Sequence, residues 1–90
     1  MPVYHPVELA LLDAIFGCPH CASFGVTAAM GEHYGVLILH RDVPVGLWSV
    51  IGGTLSFRSV ANWNVIHIAR DMNEAIALTV AMASTNRWQY

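Results

Sequence analysis

The chain contains no lysine, and its whole positive charge is carried by Arg41, Arg58, Arg70 and Arg87, placed singly along ninety residues. Charged residues make up 11% of the sequence, where about 25% is ordinary for a soluble domain. Nucleic-acid binders neutralise phosphates with clustered Lys and Arg, so no direct nucleic-acid binding is expected. The acidic residues are scattered too, which excludes an acidic surface that mimics DNA. No run reaches the roughly 20 apolar residues that span a bilayer. The longest, Ala75–Ala83, is interrupted by Thr79. Residues 1–17 carry no Lys or Arg and include Glu8 and Asp13, so they read as part of the mature fold rather than a signal peptide. With only two cysteines, the expected setting is reducing and cytoplasmic, with no membrane association.

What is present is apolar surface, with 56% of the residues hydrophobic. Ninety residues make one domain, 1–90, and a domain of that size buries about 60–65% of the surface its unfolded chain exposes. One small core cannot hide this much apolar surface. The remainder is expected to be covered by a second copy of the chain or by a partner.

Periodicity outlines the elements. Pro6 to Phe16 reads as a helix, with Pro at its first position and Gly17 just past its end. Apolar residues surround it almost completely, so burial on two sides is expected. Ser23 to Met30 alternates large Phe24, Val26, Ala28 and Met30 with smaller residues, the pattern of a strand. Residues 31–35 form a turn. The continuous apolar run Val36–Leu39 predicts a central strand covered on both faces. A second turn is expected at Asp42–Gly46, around Pro44. Leu47–Ile51 and Thr54–Val60 flank Gly52-Gly53, a two-residue hairpin signal. After a turn at Ala61-Asn62, Trp63–Ala69 is a fifth candidate strand. A last helix runs from near Asp71 to about Ser84, with Asp71 and Glu74 at capping-box spacing. The order predicts an α+β fold: an antiparallel meander of about four to five strands with an N-terminal and a C-terminal helix packed on it.

Cys18-Pro19-His20-Cys21 is the recognisable short motif. It resembles the redox motif of DsbA-type thiol oxidoreductases, a family in which the histidine between the cysteines helps stabilise the thiolate of the first. That family's motif follows a strand and opens a helix. Here a helix precedes it and a strand is expected after it, so the two cysteines read as reduced residues of a connecting loop. Structural zinc needs four ligands; Cys18 and Cys21 with His5 and His33 are the available set, and His20 is badly placed between the cysteines. No second C-x2-C or H-x3–5-H pattern occurs, so no metal or other cofactor is expected, with zinc kept as the alternative. His40 and His67 lie in strand-like segments and read as partly buried residues with hydrogen-bond partners. No catalytic arrangement can be read from the order of residues, and the chain is not expected to be an enzyme.

The last helix is broader in its apolar face than a single sheet requires. Met72, Ala75, Ile76, Leu78, Thr79, Val80, Met82 and Ala83 cover roughly 200°, against the ~100° needed to rest on one sheet. The extra width would contact the first helix or a partner, and methionines suit a partner because they adapt their shape. Arg87, Trp88 and Tyr90 follow in a terminal segment and are of the types that anchor interfaces. Arg87, Trp88, Tyr90, Met72 and Met82 are therefore the expected partner-binding residues. In size, single-domain form and composition, the whole chain resembles small accessory proteins of phages and mobile elements, including anti-CRISPR inhibitors. The resemblance implies a protein that binds and occludes a partner complex, and it carries no residue role over. The expectation is a self-associating, protein-binding module; the alternatives are a zinc- or thiol-dependent protein centred on Cys18 and Cys21, and a structural homo-oligomer subunit.

Overall fold

The computed structural model describes residues 4–61, 63 and 66–88. Its elements are α1 (Pro6–Phe16), α2 (Pro19–Ser23), β1 (Val26–Met30), β2 (Val36–His40), β3 (Val43–Ile51), β4 (Thr54–Ser59), β5 (Ile66–Ala69) and α3 (Met72–Thr85). The five strands form one antiparallel sheet in the order β1-β2-β3-β4-β5, so each strand pairs with its neighbours in sequence. The expected α+β meander with a helix at each end is present.

Cross-strand pairing fixes which residues share a face. One row runs Met30–Val36–Trp48–Phe57–His67 across the sheet. Val36, Trp48 and Phe57 in it are fully buried, in one core with Leu11 and Ile15 of α1, Cys21 of α2, and Ala75, Met82 and Ala83 of α3. The helices therefore cover this face. Trp48 Nε1 donates to Thr79 Oγ1 at 2.9 Å, and Thr79 in turn donates to the Ala75 carbonyl at 2.8 Å, so the buried polar atoms of sheet and helix satisfy each other.

Gly46 also belongs to the covered face, opposite Ile38 and Ser59. A Cβ there would overlap the Phe57 ring at Cζ and stand 2.6 Å from its Cε1. The missing side chain of Gly46 is the space that Phe57 fills.

α1 buries one stripe, Glu8, Leu11 and Ile15, while Leu9 and Phe16 stay exposed. The expected two-sided burial does not occur, because no element lies on its outer side. Glu8 is 3% exposed, yet all its partners are backbone donors. Its Oε1 accepts from His5 N at 2.9 Å, completing a capping box, and from Gly35 N at 3.3 Å; Oε2 accepts from Val50 N at 3.0 Å. One carboxylate thus ties the start of α1 to β3 and to the entry of β2.

Three further expectations change. Residues 19–23, expected to lie in a loop and the start of a strand, form α2, too short to show a period in sequence. The turn between β2 and β3 is Arg41-Asp42, with φ of 53° and 67°. Pro44 is not in that turn; it pairs with Leu39 inside β3, next to a register shift between Ile38 and Leu39. β2 is covered on one face only, and Leu37 and Leu39 on the other are half-buried. The Gly52-Gly53 hairpin holds, with φ of 60° and 80°. α3 is N-capped by Asp71, which accepts from Glu74 N at 2.9 Å, and ends at Asn86 in the left-handed region. Asn62 of the expected Ala61-Asn62 turn, and residues 64 and 65 of the expected fifth strand, lie outside the described residues.

Two substitutions test this core. Gly46→Ala should lower stability by ~1–3 kcal/mol, because Phe57 has no room to retreat; an unchanged urea midpoint would refute the packing. Glu8→Ala should strand the Gly35 and Val50 N–H groups at about 1–3 kcal/mol each, and this is checked by the same titration.

Candidate functional site

The sequence placed the partner-binding residues on α3 and the tail, and the fold disposes of them differently. Trp88 is 7% exposed. Its Nε1 donates to His40 Nδ1 at 3.1 Å, its ring lies 5.4 Å from the His40 ring, and it packs 6.2 Å from Phe57. Met82 is 2% exposed in the same core. Both serve the interior, because α3 turns its Met82 side toward the sheet and the Asn86 cap brings the tail back over the end of β2. Met72 is half-buried and Arg87 is exposed. Tyr90 lies outside the described residues. Of the expected anchors among the described residues, Trp88 and Met82 thus lie in the core, and Arg87 and part of Met72 remain at the surface.

The four residues considered for zinc do not come together as a set. His5 caps α1, with Nδ1 accepting from Val7 N at 3.1 Å. His33 stands in an exposed turn beside Glu32. Among the described residues no three His, Cys, Asp or Glu side chains are close enough to share a metal ion. Of the other histidines, His40 accepts from Trp88, and His67 sits half-buried in the covered row of β5.

Cys18 and Cys21 do meet. Cys18 caps α2 and Cys21 lies one turn later, so the motif opens a helix after all, although it still follows α1 rather than a strand. Cys18 Sγ accepts from Cys21 N at 3.4 Å. That N–H stabilises negative charge on the sulfur and holds the Cys18 thiol below its ordinary value. Cys21 is fully buried, and burial pushes its thiol up to about 12. Both cysteines are free.

The other candidate is the uncovered face of the sheet. Its central row is Ala29–Leu37–Leu47–Arg58–Ile66. Beside it lie Ser49, Ser56 and Ile68 on one side, and Thr27 and Leu39 on the other. Ile66 and Ile68 are 43% and 60% exposed. Short Ser49 and Ser56 face each other in the register between Leu47, Ile51 and Ile68, giving a low floor with apolar margins. Arg58 is the one charged residue in these rows. Its guanidinium lies 5.5 Å from the centre of the Trp63 ring, and its buried Nε has no hydrogen-bond partner among the described residues. In β4 the alternation of Leu55 and Phe57 with Thr54, Ser56 and Arg58 marks two different faces in the sequence, but the apolar run in β2 concealed the open one.

Comparison with protein-family models, curated proteins and solved structures finds no match for the chain. Among the described residues no helix is long and apolar enough to cross a membrane.

The new place of Trp88 is testable. Trp88→Ala should cost ~3–5 kcal/mol in chemical denaturation, the loss of a large core side chain rather than of a surface one. A variant with wild-type stability would return Trp88 to the surface.

Proposed function

We propose that the chain is a protein-binding module that docks a partner on the open face of its sheet. The observation that carries this reading is the Ala29–Leu37–Leu47–Arg58–Ile66 row, apolar apart from one arginine and left uncovered by every helix. Contiguous apolar surface of this kind marks interaction sites, and its centre is depleted of charge as interface centres are.

Arg58 specifies the partner's chemistry. It is the one charged side chain in these rows, so the complementary surface is apolar around one carboxylate or backbone carbonyl. A second copy stacked face to face about an axis near Arg58 would set guanidinium against guanidinium, which favours a different protein as occupant. Occlusion of a partner complex, as implied by the resemblance to small phage accessory proteins, needs a surface of this sort and no reacting group.

Immobilised wild-type protein should retain a partner from host lysate, and Leu47→Lys or Arg58→Glu should reduce that retention about tenfold or more, as loss of a central anchor does. Leu9→Lys, on the exposed side of α1, should leave it unchanged. Equal retention by all variants would overturn the assignment. A wild-type homodimer that Leu47→Lys disperses, with no foreign partner retained, would instead make the chain a homo-oligomer subunit.

A further inference from the structure

We propose that Cys18 and Cys21 form a working dithiol that exchanges with external disulfides, a site separate from the open face of the sheet. The site is the pair of sulfurs. One helical turn places residues i and i+3 on the same side of α2, and the contact from Cys21 N to Cys18 Sγ at 3.4 Å brings the two residues together at the start of that turn. An intramolecular disulfide is therefore reached by side-chain rotation, without opening the fold.

The two cysteines differ in access, and the difference sets an order of events. Cys18 is partly exposed, flanked by exposed Phe16, Gly17, Pro19 and His20. Cys21 is fully buried, on a helix packed against α1, β1 and α3. An external disulfide reaches Cys18 and cannot reach Cys21. The shifts of the two thiols agree with that order, since the exposed one is the more easily ionised.

The exchange balances as follows. The Cys18 thiolate attacks one sulfur of a disulfide RS–SR; the S–S bond breaks, and RS⁻ departs with the bonding pair and takes up a proton. Cys18 is now joined to R through a mixed disulfide. Cys21 gives up its proton, its sulfur attacks Cys18 Sγ, and the second RS⁻ leaves and is protonated. The chain has lost two electrons and two protons, and RS–SR has become two RSH. The co-reactant is a disulfide, the reverse reaction consumes two thiols, and no metal or organic cofactor is needed.

The test is incubation of native protein with oxidised glutathione, followed by acid quenching and intact-mass measurement, with circular dichroism to confirm folding. Wild type should lose two hydrogen masses with no lasting adduct. Cys21→Ser should stop with one glutathione attached, because the resolving sulfur is gone. Cys18→Ser should remain unmodified while folded and react in urea. Wild type that stops at a glutathione adduct would make Cys18 merely an exposed thiol, and wild type that keeps both thiols would make the pair inert; either result overturns the proposal. Should a serine variant fail to fold, the wild-type masses alone decide between these outcomes.

Discussion

The molecule is organised around Trp48. It occupies the middle of the central strand and is fully buried. One side of its indole meets Phe57 at 5.2 Å, and its N–H reaches across to Thr79 on α3. Phe57 meets Trp88, and Trp88 meets His40. The result is a line of aromatic rings across the covered face, with a polar atom of each Trp indole paired. Because Trp48 needs both a hydroxyl partner and apolar surroundings, α3 can dock in one rotation only. Ala75 and Ala83 then face the interior where bulk is unwelcome, and Met82 takes up irregular space.

That arrangement uses the large residues on one side of the sheet and leaves the other side uncovered. A chain with so few charges has little to place there except Leu, Ile, Ser and Thr. The low charge content and the open apolar face are the same fact seen in composition and in space. Arg58 is the one charge in the rows of this face, and its guanidinium sits near Trp63.

The long elements were legible because their signals are local. Pro6 and Gly17 bracket α1, Asp71 opens α3, and Gly52-Gly53 supplies two positive φ values in a hairpin. Other features depend on what lies far away in sequence. Glu8 looks like a solvent-facing charge until the N–H groups of Gly35 and Val50 are brought to it. Arg41 and Asp42 adopt positive φ without glycine because the register on either side forces the chain round. Trp88 has the look of a tail anchor, and only the return at Asn86 carries it to His40. For the candidate sites, the Cys18–Cys21 spacing was visible, but the helix that joins the two residues was not, since five residues are too few to show a period. The open face was hidden by Val36–Leu39, where a continuous run reads the same whether one face or both are covered.

The position of Trp88 has a consequence for biosynthesis. The sheet is a meander of neighbouring hairpins, so most of its pairing can begin while the chain is still emerging from the ribosome. Phe57 and His40, however, wait for an indole that is made after all five strands and α3. Until that ring leaves the exit tunnel, the nascent chain carries a nearly complete sheet with part of its interior open to water. Final closure of the core is thus coupled to synthesis of the segment that follows α3, and a chain broken between Thr85 and Trp88 would expose apolar surface that a quality-control protease can recognise.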